Sequence, residues 1–331
     1  MKTYNCKQAP FKVFGIPTFE KEKTFYRLPE SVTDKLENLK TLGKRTPGAR
    51  IGFKTDATSF TVRLKLKTLS VDIGMSLFAC QSIAVMIGDR KTSLFQGLVN
   101  PANYEQLVME KTFSKSDKME EVTLWLPRNE EIEDVEIDLP ENANILPPSP
   151  YRYGPVLFYG SSITEGGCCA NVTNNYIALL SRWLDMDFYN FGFSGSARAE
   201  TEMGDFLKTI DCKVFVYDYD HNASTPKDLQ ETHERFFKQI RDAHPSLPIL
   251  MMSRPNFYDT DECRKRREII KQTYLNAKNN GDENVYFIDG ETFFGEEDRT
   301  LCTVDTIHPN DLGFYRMAKA IRPVLENILK G

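Results

Sequence analysis

The sequence has no apolar run near the roughly 20 residues needed to cross a bilayer; its longest, such as residues 83–87 and 156–159, are strand-sized. No membrane-spanning helix is expected. Basic runs are missing as well. The 42 Lys and Arg against 47 Asp and Glu leave a net charge of −5, without the electrostatic footprint of a nucleic-acid or anionic-membrane binder. Collagen-like, coiled-coil and low-complexity patterns are absent. A chain that is 40% hydrophobic and 27% charged can bury a sizeable core. The seven cysteines (Cys6, Cys80, Cys168, Cys169, Cys212, Cys263 and Cys302) are odd in number and lack metal-ligand spacing. Reduced, mostly buried thiols are expected rather than a disulfide framework. Residues 1–14 carry Lys2, Lys7 and Lys12 with no apolar core behind them, unlike a secretory signal, so the expected location is cytoplasmic.

What is present changes texture near residue 150. Before it, Phe60, Val62, Leu64 and Leu66 alternate with Thr61, Arg63, Lys65 and Lys67, the period of a half-buried strand. Similar runs occupy residues 83–87, 122–126 and 135–139, punctuated by Gly88-Asp89, Asn100-Pro101 and Pro127-Arg128-Asn129. With no amphipathic helix after Leu42, the pattern predicts an antiparallel β-sandwich, and the expected domain is an all-β sandwich or jelly roll. Residues 144–150, with Pro147-Pro148-Ser149-Pro150, form a stiff connector. Strands then alternate with helices. Strands are predicted at residues 156–159, 188–191, 214–217, 249–252 and 285–288, with helices at 176–184, 229–240, 264–278 and 311–329. That order predicts a doubly wound parallel α/β sheet with ligands beyond the carboxyl ends of its strands. The expected division is residues 1–149 and 150–331.

The candidate chemistry lies on those carboxyl-end loops. Gly160-Ser161-Ser162-Ile163-Thr164 follows the first strand, where small residues allow a sharp turn that exposes a hydroxyl, although a plain strand-to-helix turn uses the same residues. The loop lacks the Lys of a phosphate-cradling motif and the glycine spacing of a dinucleotide fingerprint, so neither ATP nor NAD is indicated. Near the chain end, Asp305-Thr306-Ile307-His308-Pro309 places one of only four histidines three residues after a carboxylate. An Asp so placed can accept from Nδ1–H and leave Nε2 to take a proton from a serine. A surface or capping histidine is the plainer alternative. Two more loops, Asn190-Phe191-Gly192-Phe193-Ser194-Gly195 and Asp218-Tyr219-Asp220-His221-Asn222, offer a glycine N–H and an asparagine amide for an oxyanion. Turn-forming glycines and a helix-capping asparagine are their structural alternatives. Together the loops satisfy the requirements of acyl transfer.

These four blocks resemble those of the SGNH hydrolases, also called GDSL esterases, over about residues 155–329. The resemblance implies a flavodoxin-like fold with Ser162 as nucleophile, His308 as general base and then acid, and Asp305 as its orienting carboxylate. It also implies an oxyanion hole of the Ser162 N–H, the Gly192 N–H and the Asn222 side chain. The sequence departs from the family where Ser161 replaces the usual acidic residue before the nucleophile. It is closest there to a subgroup with an N-terminal β-domain, similar to carbohydrate acetyl esterases. Ser161 and Ser194 remain rival nucleophiles. The pair Cys168-Cys169 is an alternative thiol or metal site, and Asp218, Asp220 and His221 an alternative metal cluster. No metal or cofactor is expected.

The expected activity is hydrolysis of small acyl esters, O-acetyl groups on carbohydrates foremost, with an oligosaccharide or small-molecule ester as substrate. The alternatives are a short-chain, lipase-like acylhydrolase on other esters and a carbohydrate-binding protein with a decayed site. Transfer of the acyl group to a sugar rather than to water is a further alternative. Arg254, Asn256 and Tyr258, after the fourth parallel strand, are candidates to line a polar cleft, or else to cap a helix. Oligomeric state is not indicated.

Overall fold

The computed structural model describes residues 1–99, 107–255 and 260–331. The turn expected at Asn100-Pro101 and the loop residues Asn256 and Tyr258 lie outside the described residues. The first region contains β1 (Lys2–Asn5), β2 (Lys12–Phe14), β3 (Arg50–Thr55), β4 (Ser59–Leu66), β5 (Ile83–Ile87), β6 (Leu94–Val99), β7 (Val108–Ser114), β8 (Glu120–Trp125), β9 (Ile132–Leu139) and β10 (Ile145–Leu146). They form two antiparallel sheets, one ordered β1-β9-β4-β7 and the other β10-β3-β8-β5-β6, with β2 on β3. The period-two reading of β4 holds: Phe60, Val62, Leu64 and Leu66 are buried while Thr61, Arg63 and Lys65 are less so. The buried set meets Ile51, Phe53, Val85 and Leu124 of the other sheet in one core. Each such side chain contributes about 1.5–3 kcal/mol. The short helices α1 (Phe19–Glu22), α2 (Glu30–Thr33) and α3 (Leu77–Gln81) interrupt this region. The last falls after Leu42, where no helix was expected; a single turn is too short to display an amphipathic stripe.

The second region follows the α/β order: β11 (Tyr153–Gly160), α4 (Ser162–Glu165), α5 (Tyr176–Leu184), β12 (Met186–Gly192), α6 (Thr201–Leu207), β13 (Val214–Asp218), α7 (Pro226–Ala243), β14 (Ile249–Met252), α8 (Asp261–Asn279), β15 (Val285–Ile288) and α9 (Asp311–Lys330). The sheet is parallel, in the order β12-β11-β13-β14-β15. This is the flavodoxin-like order, and β11 lies at its switch point. Alternate β11 side chains feed opposite layers. Val156 and Phe158 pack with Ile177 of α5 and Phe314 of α9, while Leu157 and Tyr159 pack with Met203 of α6, Phe236 of α7 and Ile270 of α8. Helix starts follow local chemistry: Thr225 and Asp228 form a capping box on α7, and Asn310 accepts from Gly313 N–H at the start of α9. Among the described residues no helix is long and apolar enough to cross a membrane.

The two regions meet across a seam crossed by arginines. Leu28, Val32, Leu36 and Leu39 do not pack within the sandwich; they join the core of Leu157, Tyr159 and Phe191. Arg50 pairs with Asp187, and its guanidinium lies 3.9 Å from the centre of the Phe188 ring. Arg90 reaches Asp185 at 3.3 Å and donates to the Ser149 and Pro150 carbonyls at 3.0 and 2.7 Å, which pins the proline-rich connector. Arg27 and Arg128 both approach Glu165, at 3.4 and 3.9 Å.

Candidate active site

The carboxyl end of β11 opens at the switch point and hands the chain into a sharp turn. Ser161 caps the one-turn helix α4, its Oγ accepting from Ile163 N–H at 3.2 Å, so the hydroxyl of this rival nucleophile is turned inward. Ser162 follows. Its Oγ lies 2.8 Å from His308 Nε2, and His308 Nδ1 lies 2.6 Å from Asp305 Oδ2. The turn needs glycines where chain segments nearly touch. A Cβ on Gly160 would sit 2.1 Å from Thr164 Oγ1 and 2.5 Å from the Asp218 carbonyl.

The loop before α9 holds its carboxylate by backbone as well as by ring. Asp305 Oδ1 accepts from the N–H groups of His308 at 2.7 Å and Ile307 at 3.0 Å. Burial works against the charge of Asp305, yet these N–H groups and the imidazole hold its carboxyl below the usual range. Thr306 adopts φ 73°, in the left-handed region, which lets the chain turn back between the two residues. The side chains of His308 and Asp305 remain 25% and 47% exposed, so the dyad faces solvent. Gly167 approaches from the other side, where a Cβ would lie 3.5 Å from His308 Cδ2.

The structure corrects the assignment of Gly192. Its N–H donates to Asn190 Oδ1 at 2.8 Å, and a Cβ there would meet Glu165 N at 2.2 Å. Gly192 is therefore the packing glycine beneath α4, and its N–H is already committed. Gly195, quoted in the sequence only as part of the loop, is the open one. It has φ 66°, and among the described residues nothing lies within 4 Å of a Cβ built on it. The Asn222 amide sits between the Gly195 N–H and the Phe193 carbonyl, 3.2 Å from each when its oxygen faces Gly195. The Gly195 and Asn222 amides thus adjoin, and turning the Asn222 group over would present two N–H donors side by side.

Arg254 is anchored by an ion pair. Its Nη2 and backbone N–H bond to the buried Asp220, at 2.9 and 3.1 Å, and its side chain keeps 17% exposure. Burial opposes the charge of Asp220, and Arg254 holds it below the usual carboxylate range. Asp218 also has protein partners, accepting from Thr164 Oγ1 at 2.8 Å and Tyr176 OH at 3.2 Å. Burial, opposed by those two hydroxyls, pushes its carboxyl up to about 7. His221 is pushed down to about 3, first by burial and then by Arg254, and its Nε2 has no partner among the described residues. Among the described residues no group of three or more His, Cys, Asp or Glu could hold a metal ion. All seven cysteines are free thiols, and burial pushes the Cys168 and Cys169 pKa values up to about 11 and about 12. Neither is set up as a thiolate nucleophile.

Residues 154–326 match the model of the GDSL-like lipase/acylhydrolase family, and residues 1–145 match that of the N-terminus of SGNH-hydrolase-type esterases. No curated protein matches the sequence. Among solved structures, a protein described as a GDSL-like lipase from Bacteroides ovatus is 26% identical, with a TM-score of 0.87 over 99% of this chain and 98% of that one. The salicylyl-acyltransferase of a tetracycline biosynthetic pathway shares the fold at 16% identity, with a TM-score of 0.81 over 99% and 97% of the two chains. So does a family two carbohydrate esterase from Clostridium thermocellum in complex with cellohexaose, at 16% identity and a TM-score of 0.63 over 86% and 93%. The family match spans the parallel sheet and every loop described above, and the chain belongs to the GDSL-like lipase/acylhydrolase family of carboxylic ester hydrolases.

Proposed function

We propose that this protein hydrolyses small O-acyl esters, O-acetyl groups of carbohydrates in particular, through an acyl-enzyme on Ser162. The observation that carries the reading is the unbroken relay of Ser162 Oγ, His308 and Asp305, with steps of 2.8 and 2.6 Å. His308 Nε2 takes the hydroxyl proton as Ser162 attacks the ester carbonyl, and Asp305 stabilises the imidazolium that forms. The oxyanion is met by the Ser162 and Gly195 N–H groups and the Asn222 amide. His308 then protonates the leaving alcohol, and on its return activates the water that releases the acid. Sugar esters are favoured by the paired sandwich and hydrolase regions, an arrangement shared with the carbohydrate esterase described above. Replacing Ser162 with Ala and measuring acetate release from p-nitrophenyl acetate and acetylated sugars tests the mechanism; wild-type rates in the variant would overturn it.

A specific observation favours a second reading. Val304 and Ile307, which flank Asp305, are each 48% exposed, so the rim beside the relay is apolar. That rim suits an ester with an apolar acyl or alcohol part, the acylhydrolase reading. A panel of acetylated mono- and oligosaccharides against short and long acyl esters separates the two. Product analysis with and without an acceptor sugar distinguishes hydrolysis from acyl transfer.

A further inference from the structure

Arg27 comes from the first region yet makes its contacts beneath the loops that carry Ser162 and Gly195. Its side chain is 1% exposed, and every guanidinium nitrogen donates or pairs. Nη1 donates to the Asn190 carbonyl at 3.0 Å and the Gly192 carbonyl at 2.6 Å, at the end of β12. Nη2 donates to the Leu42 carbonyl at 2.8 Å and approaches Glu165 Oε1 at 3.4 Å, and Nε donates to the Arg45 carbonyl at 3.0 Å. The guanidinium also lies 4.6 Å from the centre of the Phe193 ring. Burial pulls Arg27 down to about 10, so it stays charged at neutral pH.

Glu165 is the other half of the device. It is the last residue of α4, three positions after Ser162, and its side chain is fully buried. Its Oε2 accepts from Ser194 N–H at 2.9 Å, immediately before Gly195, and faces Arg128 Nη1 at 3.9 Å. One carboxylate therefore ties the nucleophile turn to the loop that carries the Gly195 N–H, and two arginines from the first region hold that carboxylate. Neither arginine touches the reacting atoms.

We propose that Arg27, backed by Arg128, is a positioning residue for ester hydrolysis, fixing Ser162 relative to the Ser194–Gly195 loop through Glu165. The proposal rests on the esterase reading above. A misplacement of about 1 Å between nucleophile and stabilising groups costs on the order of a hundredfold in rate, so the effect belongs in kcat rather than KM.

The test compares wild type with Arg27→Lys and Glu165→Gln on p-nitrophenyl acetate, well below each variant's melting temperature. A fluorophosphonate counts reactive serines. Lysine keeps the charge but cannot span the separate acceptors, and glutamine keeps the shape and an acceptor for Ser194 while losing the charge. The expected result is a fall in kcat of about 10- to 100-fold with KM within about twofold and a native circular dichroism spectrum. Should Arg27→Lys not fold, the Glu165→Gln kinetics decide alone. Folded variants that melt earlier but keep wild-type kcat would overturn the positioning role and leave the esterase reading standing. A wild-type protein inert to both ester and fluorophosphonate would overturn the esterase reading and the positioning role with it.

Discussion

The Asn190 side chain bends back to accept the N–H of Gly192 at 2.8 Å, while its Nδ2 donates to the Thr164 carbonyl, also at 2.8 Å. One buried amide thus stitches the end of β12 to the helical turn behind Ser162. Asn190→Ala leaves a buried N–H and a buried carbonyl unsatisfied, at about 1–3 kcal/mol each. Gly192→Ala drives a methyl to 2.2 Å from Glu165 N and should be worse still. Thermal denaturation of both variants checks this ranking.

Asn222→Ala addresses the oxyanion reading. Losing one donor from such a hole lowers kcat by about 100- to 1000-fold while leaving KM nearly unchanged. The amide is only partly buried, so the melting temperature should move little. Steady-state kinetics with calorimetry checks both halves, and an unchanged kcat would remove Asn222 from the mechanism.

Stability should respond to pH through two buried groups of opposite sign. The Asp218 carboxyl, raised by burial from 3.8 to about 7, keeps its proton in the fold where the unfolded chain has lost it. Its contribution therefore falls as pH rises through that window. The His233 imidazole, lowered by burial from 6.5 to about 3, has the reverse effect. Its contribution is complete above 6.5 and is lost as pH falls towards 3. Asp218→Asn should flatten the decline towards neutrality, and His233→Gln the loss on acidification. Melting temperatures across this range report both slopes; a variant curve parallel to wild type contradicts the assignment for that group.

Removal of divalent ions with a chelator should leave turnover unchanged, since Asp218 and Asp220 are engaged with hydroxyls and arginines. Loss of activity on chelation, restored by one metal, would revive the metal reading of the Asp218 to Asn222 loop.

Much of the fold was legible because its signals are local. The strands Ile249–Met252 and Val285–Ile288 and the helix Tyr176–Leu184 lie where the apolar patterns place them. Helix α6 escaped because Glu200 makes no side-chain cap and Gly204 interrupts the pattern, yet Gly204 lets Gln239 pack close. In the site, Ser162, Asp305 and His308 could be read from spacing and resemblance, and the structure brings them into contact. Gly192 and Gly195 look alike in sequence; only the paths of the Asn190 and Asn222 side chains show that the first N–H is held beneath α4 and the second lies beside the Asn222 amide. Glu165 was visible as an acidic residue beside the turn, but a buried charge does not name its partner. Arg27 is 138 residues away, and no local pattern marks it.

The arginines that cross the seam bear on how such proteins can be recombined. Arg27, Arg50, Arg90 and Arg128 all belong to the first region, and the carboxylates of Glu165, Asp185 and Asp187 that answer them belong to the second. Exchanging the first region for another sandwich would strand the buried Glu165 and the half-buried Asp185 and Asp187 against an unmatched surface. A working chimera would have to inherit both sides of the seam together, which makes the four guanidinium groups and their three carboxylates the unit of transplantation rather than either sheet.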